Sequence, residues 1–203
     1  MPHIHVDFHE QGRNEPYYFA PAAEPMHEVI TPFQKEFQTE IGKNNARYFD
    51  EKGWLFFTKE RFDLLYPSYG DTYPTFMGAI GMTYEQAGHV GLGIKTTEGY
   101  ELTLEDRVAH HNTTGLATVE IAAKNADRLT KEFGSFYNNK NQENQTYVLS
   151  GNPDKIATLK ELLDRHQIQY GTAAETSVKG VDHLSGKSRS LDTRENNLVI
   201  PTN

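Results

Sequence analysis

A chain of 203 residues is long enough to bury a hydrophobic core, in one medium domain or in one domain with a small appendix. Hydrophobic residues make up 36% and charged residues 24%, a globular composition, and a formal charge of −8 without any run of Lys and Arg removes the electrostatic footprint of a nucleic-acid binder. Cysteine is absent, which excludes disulfides and thiolate metal sites, and no apolar stretch approaches the roughly 18 residues of a membrane span.

The chain opens with Ile4, Val6 and Phe8 alternating with His3, His5, Asp7 and His9, the period-two pattern of a strand with an apolar face and a chemical face. The Glu-Gln-Gly sequence after His9 predicts that the strand ends there. Residues 15–21, rich in Pro and aromatics, read as a loop, too Pro-rich for helix or central strand. Over residues 25–49 the apolar positions Val29, Ile30, Phe33, Phe37 and Ile41 recur at three and four and predict an amphipathic helix. A buried strand at Trp54-Leu55-Phe56-Phe57 follows. The stretch 66–81, dominated by Gly, Pro, Tyr and Thr, reads as a mobile surface loop, and residues 79–85 as a strand ending on the carboxylate of Glu85.

Thr103 and Asp106 have capping-box spacing, and Leu116, Val119, Ala122, Ala126, Leu129, Phe133 and Phe136 predict one long helix that closes a first domain near residue 138. The polar run 138–145 reads as a linker. Beyond it, Tyr147-Val148-Leu149 suggests a strand, Asn152 a helix N-cap with Pro153 at the first helical position, and Ile156, Leu159, Leu162 and Leu163 the buried stripe. Ile168-Gln169-Tyr170 and Leu198-Val199-Ile200 read as further strands. The expected organisation is a domain over residues 1–138 and a small, incomplete α/β unit over 145–203.

Three places carry candidate chemistry. His9 stands at a strand terminus, where ligands of open α/β sheets collect; His3 and His5 read more simply as polar residues near a strand end. A metal cluster of His3, His5, Asp7 and His9 is the sharper alternative. Glu85 is placed as a general base. Tyr66, Tyr69 and Tyr73 beside Gly70 and Asp71 could close over a substrate. His110 and His111 point in different directions on one helix, so a shared metal is not expected. The sequons at Asn112 and Asn144 are weak signals. Phosphate-binding Gly-rich loops and the HExxH helix are absent from the sequence.

In order, Val6-Asp7-Phe8-His9, Tyr66-Pro67-Ser68-Tyr69-Gly70-Asp71 and Met82-Thr83-Tyr84-Glu85 resemble the carboxypeptidase A-like zinc metallocarboxypeptidases over residues 1–138, and Pro-Tyr-Tyr-Phe-Ala-Pro resembles a subgroup of large multi-domain bacterial members. The resemblance implies the C-terminal half of a mixed-sheet α/β/α sandwich. It implies His9 as a zinc ligand, Glu85 as the base that activates zinc-bound water, and Tyr66, or else Tyr69, as the residue that caps the substrate's C-terminal end. Peptides or peptide-like amides are the implied substrates, and an extracytoplasmic location the implied setting. The family's His-x-x-Glu ligand pair and the basic residues that hold the substrate carboxylate cannot be placed in this sequence. We therefore expect a fragment or remnant that needs the missing half of its domain and is inactive alone. The rival expectation is a non-catalytic binding module with a degenerate metallopeptidase fold.

Overall fold

The computed structural model describes residues 2–138 and 145–202, and the chain divides into two compact units, Met1–Asn139 and Lys140–Asn203. The first unit is mixed α/β. Strand β1 (Ile4–Gln11) runs two residues beyond His9, and a two-residue strand β2 (Tyr17–Tyr18) follows where Pro-rich sequence predicts a loop. Pro16 and Pro21 flank the strand without entering it, so Tyr17 and Tyr18 keep their backbone groups for pairing. Strand β3 (Ala23–Met26) precedes helix α1 (Pro32–Lys52), which starts seven residues later than its apolar pattern predicts. Thr31 caps it in a reciprocal box with Gln34, and Pro32 occupies the first turn, so Val29 and Ile30 remain outside the helix.

Strands β4 (Phe56–Phe57) and β5 (Asp63–Leu64), a five-residue helix α2 (Thr72–Phe76) and strand β6 (Ile80–Ala87) come next. The helix lies inside the stretch expected to be all loop. A hairpin of β7 (Gly93–Lys95) and β8 (Glu101–Thr103), absent from the sequence expectation, leads into helix α3 (Leu104–Lys124). Thr103 and Asp106 form the predicted capping box. The single long helix expected to residue 138 is broken at Asn125, after which α4 (Ala126–Tyr137) begins. Its expected stripe is also displaced: Leu116 and Val119 are exposed, while α3 buries Arg107, His110, Thr114, Ala117 and Thr118. Polar groups on that face find partners inside, and this pattern is invisible to an apolar period.

The main sheet has the order β1-β6-β2-β4, with β1 parallel to β6, β6 antiparallel to β2, and β2 parallel to β4. Tyr17, Phe19, Phe37, Ile41, Phe49, Ile80, Met82, Tyr84 and Leu129 form the main core, packed by Ile4 and Val6 from β1. Helix α1 adds a buried polar stripe. Gln34 Nε2 donates to the carbonyls of Thr75 (2.7 Å) and Ala79 (2.8 Å), and Gln38 Nε2 to that of Gly81 (2.9 Å), which fixes the entrance of β6.

In the second unit, β9 (Thr146–Leu149), α5 (Pro153–Arg165), β10 (Gly171–Thr172), β11 (Thr176–Val181), β12 (Ser188–Thr193) and β13 (Leu198–Pro201) form a sheet of order β10-β13-β9 and a separate β11-β12 hairpin. Asn152 caps α5 through Asp154 N, as its sequence predicts. Leu163 is buried but Leu162 is exposed, and residues 168–170 precede the strand instead of forming it. The linker expected over 138–145 and the Asn144 sequon fall on or beside residues 139–144, outside the described residues.

Candidate functional site: a carboxylate-lined cavity beside His9

Register brings the predicted residues together. In the parallel β1–β6 pair, Asp7 is opposite Thr83 and His9 opposite Glu85, so the chemical face of β1 and the odd-numbered face of β6 form one surface. Both His9 and Glu85 lie two residues inside their strand ends, not at the termini. A cavity of about 410 Å³ opens over this surface, lined by Asp7, His9, Phe62, Asp63, Tyr69, Gly70, Asp71, Thr83 and Glu85.

The imidazole of His9 is held on both sides. Its Nε2 is 3.0 Å from Asp7 Oδ2, and its Nδ1 is 3.8 Å from Glu85 Oε1. Ionised carboxylates only accept, so both ring nitrogens of His9 face acceptor oxygens. Glu85 is buried, and its Oε2 has no hydrogen-bond partner. Burial raises its pKa above the ordinary carboxylate range; His9 offsets part of that rise, and Asp7 and Asp71 add to it.

Other elements hold this pair from behind. Asp71 is buried at the start of α2, where its Oδ2 accepts from Thr83 Oγ1 at 2.9 Å and its Oδ1 from Thr72 Oγ1 at 3.1 Å, tying the tyrosine loop to β6. Gly70 passes so close to β1 that a Cβ there would overlap Asp7 Oδ2. On the opposite side, Tyr17 Oη lies 2.7 Å from His111 Nδ1. Burial lowers the pKa of His111. Sequence reading names His111 only to set aside a metal shared with His110, because its partner Tyr17 lies 94 residues away in the chain.

Tyr69 lines the cavity, whereas Tyr66 does not; the two exposed rings meet edge to face, with centroids 5.8 Å apart. Of the four opening candidates only Asp7 and His9 line the cavity, and His3 packs its ring on Phe133, 4.6 Å between centroids. Asn112 lies within α3, where Thr114 Oγ1 is buried 2.9 Å from the Tyr17 hydroxyl.

Comparison of the chain with protein-family models, with curated proteins and with solved structures found no match. Among the described residues no group of three or more His, Cys, Asp or Glu side chains stands in a metal-holding arrangement. Catalytic zinc takes about three protein ligands and one open position. His9 fits one such ligand, and the cavity offers no second imidazole among the described residues.

Proposed function

We propose that this cavity is the His and Glu portion of a zinc carboxypeptidase-type site, within the C-terminal half of a carboxypeptidase-like α/β/α sandwich that hydrolyses C-terminal peptide or peptide-like amides. The observation that carries the reading is the His9–Glu85 pair on adjacent parallel strands, 3.8 Å apart and open to the same cavity. Zinc, when bound by His9 with ligands beyond those described here, would supply an acidified water and an electrophile for the scissile carbonyl. Glu85 is suited to take and return a proton: burial has already brought it closer to neutrality, and Oε2 is unengaged. Asp7, 3.0 Å from Nε2, is placed to orient the His9 ring. For the residue that steadies the bound end of a substrate, the geometry favours Tyr69, with Tyr66 bracing its ring.

One observation favours the rival, a non-catalytic binding module. Asp7, Asp63, Asp71 and Glu85 line the cavity, and no Lys or Arg does, so no fixed positive charge there neutralises a peptide's terminal carboxylate.

Zinc titration of the purified chain, followed by imidazole NMR, tests the reading. The first saturable shifts fall on His9, Asp7→Asn weakens zinc binding by about tenfold or more, and the chain alone releases no C-terminal residue from a small peptide. A His9 ring unaffected by zinc, while the histidines elsewhere shift, would sink the assignment. Equal binding of a peptide acid and its C-terminal amide, without zinc, would establish the module instead.

A further inference from the structure

Strand alternation points Gln86 away from the face that carries Glu85, and a second cavity of about 280 Å³ opens there between β2, the turn after α1, the β7–β8 hairpin and α3. It is near the small end of the roughly 300–1,000 Å³ range of ligand pockets, so its occupant is small. We propose that this cavity binds a primary alkylammonium group, placed between the Trp54 and Tyr100 rings, the His110 imidazole and the carboxylates of Glu101 and Asp106. The proposal does not depend on the reading of the His9 cavity.

His110 is the first support. Only 8% exposed, it approaches Gln86 Oε1 through Nδ1 at 2.7 Å. An amide oxygen accepts, so Nδ1 carries the hydrogen and Nε2 is left with a lone pair that no group among the described residues engages. Burial keeps the ring neutral, with a pKa lowered to about 4. A neutral, nearly buried imidazole with an unused acceptor on a cavity wall calls for an N–H or O–H donor.

Charge and aromatic surface narrow that donor to an ammonium. Glu101 pairs with Lys95 through its backbone, and its carboxylate makes no ion pair or hydrogen bond among the described residues. Asp106 uses Oδ2 to accept from the Thr103 backbone N–H and hydroxyl, which lowers its pKa and keeps it ionised, while Oδ1 has no hydrogen bond among the described residues. Glu15, also in the wall, is already paired with Arg61, and no Lys or Arg lines the cavity. Trp54, its ring centroid 4.4 Å from that of His110, and the partly exposed Tyr100 line the same cavity as these carboxylates, which puts aromatic rings of the kind that favour a cation beside them. Leu102 and Leu55 supply apolar surface for an alkyl stem.

Trp54 is the chain's single tryptophan and reports directly on occupancy. We would titrate the full chain with pentylamine hydrochloride at constant ionic strength near neutral pH and follow Trp54 emission. The expected result is a saturable change, with 1-pentanol at least about tenfold weaker, tetramethylammonium severalfold weaker for want of an N–H, and Glu101→Gln about tenfold weaker without loss of melting temperature. Nα-acetyl-lysine amide, run in parallel, assigns the source: tighter binding than pentylamine identifies a peptide lysine, weaker binding a free amine. No saturable response to either ammonium, a pentanol affinity equal to that of pentylamine, or an unchanged affinity in the folded Glu101→Gln chain would overturn the proposal.

Discussion

Glu85 and Gln86 are neighbours in sequence, yet one faces a cavity of four carboxylates and an imidazole, and the other faces a cavity of aromatic rings with a neutral histidine. The difference comes from what is packed on each side of β6. On the odd face, the short α2 and the tyrosine loop bring Asp71 against β6 and Gly70 against β1, leaving polar groups and space. On the even face, α1 and α3 press Met82 and Tyr84 into the core, and space reappears only at Gln86, where the helices give way to the hairpin. A single strand thus serves two chemistries because its side chains alternate, and each can be perturbed with the other as an internal control.

The largest effect is expected from Gly81→Ala. A Cβ there would overlap the Asp71 carbonyl and Thr75 Oγ1, and backbone cannot rotate out of the way. Urea unfolding should show a loss of about 3 kcal/mol, with the Asp71–Thr83 tie disrupted and the Trp54 environment little changed. An equal disturbance at Trp54 would show that the two faces are not separable.

Tyr84→Phe strikes the other face. Its hydroxyl lies 2.6 Å from Thr118 Oγ1 and accepts from Asn45 Nδ2 at 3.2 Å, and burial raises its pKa to about 12. The expected cost is about 1–2 kcal/mol in the same unfolding experiment, since Asn45 loses a buried partner.

Acid titration sharpens the contrast, because the two buried groups respond with opposite sign. His110 binds its proton less readily folded than unfolded, so its contribution to stability is full above its ordinary value near 6.5. That contribution is lost as pH falls toward about 4. Thermal melts of His110→Gln should lack that part of the acid slope. Glu85 binds its proton more readily when folded, so the wild-type chain loses stability relative to Glu85→Gln as pH rises through the ordinary Glu range to the raised value. Near neutrality the Gln variant should melt at the same temperature or slightly higher; a lower melting temperature would mean that the charged form of Glu85 has a stabilising partner.

The elements announced by local signals were legible in the sequence: the capping box at Thr103, the Asn152-Pro153 start, and the alternation of β1. So were His9 and Glu85 as candidates, although only the parallel register reveals that they face each other. What was not legible depends on distant partners. Gln34, Gln38 and Thr114 look like surface residues until the carbonyls of the α2–β6 segment and the hydroxyl of Tyr17 are placed beside them. The two-residue strand at Tyr17 carries too short a pattern to be read. The aromatic cavity around His110 draws on Trp54, Gln86 and Tyr100, which no spacing connects.

The alternation of β6 also constrains how this sequence can change over time. Inserting or deleting one residue between Gly81 and Glu85 would exchange Gln86 and Glu85 between the faces, sending a carboxylate among the aromatic rings and an amide into the His9 cavity. Gln34 and Gln38 grip the carbonyls at the strand entrance, so such a slip could not be absorbed upstream. Length variation among descendants of this chain should therefore spare residues 79–87 and collect in the turns on either side.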